Sequence, residues 1–171
     1  MATSNPVPCF GMDAGEASLD DLLLPGPAGV QIVPAGSGLR ALTSLTPAQR
    51  AVLADAFERL CASVDFLLID TPSGISDNVI DTMLLAGRVM IVTSVEPAAI
   101  VDAYATIKVL SSASPTTEIG IVVNNVRSAD EASLAYRQLD IAANRFLNRA
   151  LRFYGFVLED RAVRDALALP Q

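Results

Sequence analysis

Asp65-Phe66-Leu67-Leu68-Ile69-Asp70-Thr71-Pro72-Ser73-Gly74 holds a short, unbroken apolar run, Phe66 to Ile69, closed by an acid and a turn. A run of that length without alternation reads as a strand buried on both faces, the signature of a parallel sheet between layers of helix. Two runs of the same kind follow, Val89-Met90-Ile91-Val92-Thr93 and Ile119-Gly120-Ile121-Val122-Val123. Helix signals lie between them. Ser76 predicts an N-cap for a helix to about Ala86, stopped by Gly87. Pro97 opens a second helix, with Ile100, Val101, Tyr104, Ile107 and Leu110 on one side.

Ser128-Ala129-Asp130-Glu131 is a capping box and predicts a long helix to about Phe153. That leaves Gly155-Phe156-Val157-Leu158 as a last short strand, with a short helix from about Arg161. Upstream, a short helix is predicted over 19–24, and Val30-Gln31-Ile32-Val33 alternates like a strand. Thr46-Pro47-Ala48-Gln49 starts a helix to about Ala62. Strands alternating with helices imply an α/β fold, a mostly parallel sheet flanked by helices. Residues 1–17 read as a loose lead-in and 18–171 as the domain.

Hydrophobic residues make up 51% of the 171 and charged residues 18%, enough apolar surface for one core. No apolar run approaches the roughly 20 residues of a membrane helix. No basic-then-apolar leader opens the chain, so a cytoplasmic protein is expected. The net charge of −7 argues against wholesale nucleic-acid binding. There is no histidine, which removes most zinc sites and every imidazole base. Cys9 and Cys61 have no metal spacing and read as free thiols. Any chemistry rests on carboxylates, hydroxyls, amides and arginines, together with a single lysine, Lys108.

Ligands of open parallel sheets bind at the carboxyl ends of strands. Asp70 stands at such an end. An acid there suits Mg²⁺ held through water beside a nucleotide phosphate, or else satisfies turn amides. Gly74 lets the following turn approach a phosphate closely. Asn124 donates and accepts, matching a purine edge, but asparagine is also an ordinary turn residue. Gly36-Ser37-Gly38 has the composition of an anion-binding nest or of a plain loop. On the long helix, Leu139, Ala143, Phe146, Leu147 and Ala150 fall on one side. Arg137, Arg145, Arg149 and Arg152 fall on the other, as a solvated face or as a docking stripe for an acidic partner.

Taken in order, these pieces resemble the MinD/ParA family of P-loop ATPases in its FlhG/FleN form. Residues 65–76 resemble its Walker B and switch II segment. Val92-Thr93-Ser94-Val95-Glu96-Pro97 resembles the next family segment, and Val122-Val123-Asn124-Asn125-Val126 its adenine-reading strand end. Tyr154-Gly155-Phe156 and Glu159-Asp160-Arg161-Ala162-Val163 continue the pattern, and the likeness covers roughly residues 18–170.

The resemblance implies ATP and Mg²⁺ as cofactors, with Asp70 near the metal, Gly74 in switch II and Asn124 at the adenine. It also implies a homodimer around ATP and a role in flagellar number or placement. The partners it implies are FlhF-like, basal-body or regulatory proteins. Nothing in the chain resembles the family's glycine- and lysine-rich phosphate loop or the strand before it. The expectation is therefore an incomplete P-loop NTPase fold, missing that strand and with little or no ATP hydrolysis by itself. A non-catalytic interaction module on the same α/β scaffold and a truncated reading frame are the alternatives. Without the P-loop strand, residues 66–69 and 89–93 lose a shared neighbour and are expected to pair directly. Insertion of residues 5–12 is the weaker option, because Pro6 and Pro8 lack donors.

Overall fold

The computed structural model describes residues 23–33, 55 and 58–167. The expected lead-in, the 36–38 nest, Cys9 and the 5–12 insertion lie outside the described residues. A boundary between two compact units falls between Leu68 and Ile69.

In the first unit, β1 (Leu24–Pro25) pairs antiparallel with β2 (Gln31–Ile32). A single 3-10 turn over Pro27–Gly29 joins them. Gly26 N–H bonds Val30 O at 2.7 Å and closes the turn. The alternation at 30–33 thus forms an exposed two-residue ribbon, and Leu24 lies in a strand rather than in the helix expected over 19–24. Residues 58–63 are helical, in line with the described end of the predicted 47–62 helix.

The second unit is a parallel sheet in the order β3-β4-β5, where β3 is Arg88–Thr93, β4 is Glu118–Val126 and β5 is Arg152–Leu158. Helix α1 (Asp77–Leu84) precedes β3, α2 (Pro97–Ala113) joins β3 to β4, and α3 (Ala129–Leu147) joins β4 to β5. Helix α4 (Arg161–Leu167) follows. Two consecutive crossovers of the same hand put α2 and α3 side by side on one face of the sheet. The α/β class and the parallel sheet are as the sequence predicts.

The core lies between that face and the helices. Ile107 and Leu110 of α2, Ile119, Ile121, Val123 and Val126 of β4, and Leu139 of α3 are fully buried. The small residues Ala132, Ala135 and Ala143 share the buried stripe of α3 with Leu139, which lets its backbone sit close to the sheet. Ile80, Met83 and Leu84 bring α1 into the same core. Val101, placed on the apolar side of α2 from sequence, is exposed.

The capping box forms. Ser128 Oγ accepts from Glu131 N at 3.2 Å, and Glu131 Oε2 accepts from Arg127 N at 2.7 Å. Helix α3 stops at Leu147, six residues short of the expected end. Asn148 takes a left-handed conformation, φ 49°, and its N–H and that of Arg149 both close on Ala143 O. Asparagine is the usual second choice after glycine for that turn. The chain thereby enters β5 at Arg152 instead of Gly155, and the arginine stripe is broken. Arg152 is on a strand, and the Arg149 guanidinium bonds Pro115 O. Phe146 and Ala150, expected on the apolar side, are exposed.

The decisive run of the sequence behaves least as expected. Residues 66–69 form no strand, and Phe66 and Leu68 are 85% and 82% exposed. Direct pairing with residues 89–93 therefore does not occur; β3 has β4 as its one ladder partner among the described residues. A strand needs a neighbour to satisfy its amides, and composition alone does not supply one. Nor is β3 buried on both faces. Its burial alternates, with Val89, Ile91 and Thr93 inward and Met90 and Val92 outward, 52% and 56% exposed.

Candidate functional site

Asp70 lies in irregular backbone and is exposed, with Thr71 beside it half-buried. Gly74 adopts φ 113° with open space where a Cβ would stand. The backbone conformation, and not crowding, is what calls for glycine there.

Asn124 stands at the carboxyl end of β4, in an irregularity of the ladder. Val123 pairs with Phe156 and Val126 with Leu158, so Asn124 and Asn125 together face one residue of β5. Bulges of this kind re-aim side chains at strand ends. Asn125 is left-handed at φ 57°, and its N–H donates to Asn124 Oδ1 at 2.9 Å. One lone pair of the Asn124 amide is thus engaged locally. Among the described residues no further bond to the Asn124 amide is seen, so there the side chain retains donor and acceptor capacity.

Among the described residues no hydrogen bond or ion pair joins any two of Asp70, Gly74 and Asn124. Nor do those residues contain a group of three acidic or cysteine side chains placed to hold a metal. Beyond β3, Ser94 Oγ accepts from Glu96 N at 3.3 Å and shapes the turn into α2, which starts at Pro97. Lys108 is an exposed residue of α2. Cys61 is an exposed free thiol.

Hollows lined by described residues include the following pair. One, of about 290 Å³, lies at the β1–β2 ribbon. The other, of about 360 Å³, lies between the start of β4 and the start of β5, with Glu118, Arg149 and Arg152 in its wall. Neither is lined by Asp70, Gly74 or Asn124.

A polar cluster that the sequence reading missed lies at the amino ends of the strands. Arg88, Glu118 and Arg152 each open a strand. Arg152 Nε is 3.1 Å and Arg88 Nε 3.7 Å from the Glu118 carboxylate. Tyr154 lays its ring across Gly120 and donates its hydroxyl to Glu118 Oε1 at 2.6 Å. That bond, with the Arg152 and Arg88 charges behind it and against some desolvation, holds the Glu118 carboxyl below the usual carboxylate range. The same bond, together with desolvation, pushes the Tyr154 phenol up. A charged residue at the first position of each apolar run was the signal available in the sequence.

No helix among the described residues is long and apolar enough to cross a membrane. No family model matches the chain. Curated relatives do. The antiactivator FleN of Pseudomonas aeruginosa is 38% identical over 153 residues, 90% of this chain and 55% of FleN. The flagellum site-determining protein YlxH of Helicobacter pylori is 28% identical over 144 residues, 84% of this chain and 48% of YlxH. An uncharacterized ATP-binding protein of Methanocaldococcus jannaschii is 29% identical over 163 residues, 95% of this chain and 58% of that protein. The chain spans about half the length of the curated relatives it matches. With the three-stranded parallel sheet and its helices, this places the chain among the FlhG/FleN-type relatives of the MinD/ParA family.

Proposed function

We propose that the chain acts in the regulation of flagellar number or placement, as a FlhG-type polypeptide that hydrolyses little or no ATP by itself. The observation that carries the reading is the 38% identity to an antiactivator over 90% of the chain, seconded by a flagellum site-determining relative. Nucleotide enters by the same kinship, through an ATP-binding relative. In this reading Asn124 meets the adenine, Gly74 lies in the turn beside the phosphates, and Asp70 holds Mg²⁺ through water. Hydrolysis also needs a lysine and a run of backbone amides around the β- and γ-phosphates, and the single lysine here is an exposed helix residue. Partners in this reading are flagellar regulatory or basal-body proteins.

The test has two arms. Expression in a Pseudomonas aeruginosa strain lacking FleN should change the number of flagella per cell counted by microscopy; an unchanged count sinks the flagellar reading. Calorimetry with Mg-ADP should show binding that weakens at least tenfold in Asn124→Ala. Binding that ignores Asn124 removes the adenine assignment. Hydrolysis at a multiple-turnover rate, abolished by Asp70→Ala, overturns the claim of inactivity. The absence of nucleotide binding, with the flagellar effect retained, points instead to an interaction module on the same scaffold.

A further inference from the structure

The outer side of α3 combines two features that a merely solvated helix face does not need. At about 100° per residue, Leu134, Gln138, Ile141 and Arg145 stand within about 60° of one another, with Arg137 beside them. Leu134 and Ile141 are 61% and 64% exposed, and Arg137, Gln138 and Arg145 are exposed as well. In the last turn Phe146, 67% exposed, lies under the Arg145 guanidinium, whose carbon is 5.4 Å from the ring centroid. Large apolar side chains and arginines thus share one exposed stretch about 18 Å long. The stretch is held from beneath. Ala132, Ala135, Leu139 and Ala143 fix the opposite side of the helix in the core, and the Tyr136 hydroxyl donates to Leu151 O at 2.9 Å. A surface built in advance loses little freedom on binding.

The charge of this stretch runs against that of the chain. The net charge is −7, yet among the described residues neither Arg137 nor Arg145 has an acid within ion-pair distance. The acids of the helix are placed elsewhere. Asp130 and Glu131 are in its first turn. Asp140 Oδ1 accepts from Asn144 Nδ2 at 2.9 Å and from Leu151 N at 3.3 Å. Arg145, in the last turn, suits the helix dipole by itself. Arg137, in mid-helix, has no such role.

We propose that this side of α3 is a docking surface for an amphipathic helix of an acidic partner protein. The apolar side of that helix covers Leu134, Ile141 and Phe146. Its carboxylates pair with Arg137 and Arg145, whose planar guanidinium groups bind carboxylates through forked bonds. The occupant follows from charge complementarity. A second copy sets arginine against arginine. An anionic membrane repels the net charge of the chain, and a helix whose other side is fixed in the core cannot sink to the depth that interfacial helices reach. Such docking needs neither a nucleotide nor a flagellar role.

The probe is a phage-displayed library of helical peptides panned on the full chain. Enriched peptides should be net acidic, with apolar residues at helical spacing. Made synthetically and followed by fluorescence anisotropy, they should bind with an affinity that falls as salt is added. Leu134→Asp with Ile141→Asp, and Arg137→Glu with Arg145→Glu, should each weaken binding at least tenfold, whereas Arg161→Glu on α4 should not. A peptide with its glutamates changed to lysine should regain affinity for the Arg137→Glu, Arg145→Glu variant, a recovery that a folding defect does not give. No enrichment, enriched peptides without acids, binding indifferent to both pairs of substitutions, or no recovery on charge exchange overturns the proposal. So does binding to phosphatidylglycerol vesicles, or a homodimer, that the same substitutions abolish, because the occupant is then a membrane or a second copy.

Discussion

Gly120→Ala tests the packing of the Tyr154 ring on the sheet through a single methyl group. A Cβ built on Gly120 stands 2.0 Å from Tyr154 Cε2, 2.3 Å from Cδ2 and 2.4 Å from Cζ. Carbon atoms settle at about 3.5–4.0 Å, so the ring must retreat by about 1.5 Å. It is tethered by the 2.6 Å bond from its hydroxyl to Glu118, and a retreat of that size breaks the bond. Because the ring is partly in solvent it swings away instead of straining the backbone. The clash therefore falls in the lower part of the overpacking range, about 1–2 kcal/mol.

Replacing a glycine within a strand returns about 0.5–1 kcal/mol of backbone entropy, which leaves a net loss of about 0.5–1 kcal/mol. The assay is urea unfolding of Gly120→Ala, Tyr154→Ala and the double variant. In the Tyr154→Ala background the alanine should be neutral or stabilising, giving a coupling of about 1–2 kcal/mol across the cycle. An equal loss in both backgrounds would mean that the ring does not lie over Gly120, and the reasoning fails.

Leu139→Ala removes a fully buried side chain facing the sheet and should destabilise by about 2–5 kcal/mol; a urea midpoint within error of the parent contradicts the core described. Asn148→Gly should be neutral or better, whereas Asn148→Val should lose about 1–2 kcal/mol, because β-branched residues resist φ 49°; equal midpoints would show that the turn is not left-handed. Glu118 has a carboxyl pKa lowered by the Tyr154 hydroxyl first, and by Arg152 and Arg88 after it. A lowered acid favours folding above its unfolded pKa and loses that contribution as pH falls through its folded pKa. The stability gap between the parent and Glu118→Gln should therefore be present at neutral pH and close as pH drops below the ordinary carboxyl range; a gap constant across that range refutes the assignment.

The α/β class was legible because it rests on local signals. The runs at 89–93 and 119–123 and the caps at Pro97 and Ser128 need few distant contacts to declare themselves. The end of α3 was also written in the sequence, in Asn148, but helical propensity on both sides hid it and extended the helix in the reading. The run at 66–69 failed for a different reason. Its apolar residues record a requirement for a neighbouring strand, and whether one is present is a property of the rest of the sheet. Burial on β3 was over-read in the same way: Met90 and Val92 are apolar, but both are more than half exposed. Asp70, Gly74 and Asn124 were chosen by their places after expected strands; residues 66–69 form none, whereas Asn124 does stand at the end of β4, in a ladder irregularity. The Glu118 cluster went unread because it forms only when the strands come into register.

The order β3-β4-β5 repeats the order of the chain, and every pairing within that sheet is closed by one helical crossover. Loop-closure entropy rises only slowly with loop length, and sheets assembled from near neighbours fold faster than those that wait for distant segments. During synthesis, β3, α2 and β4 leave the ribosome as a closed pair before β5 emerges, and α3 then brings β5 onto an edge that already exists. The second unit thus grows outward from β3 by successive additions. Among the described residues the edges of that sheet are β3, where the growth began, and β5, where it stopped.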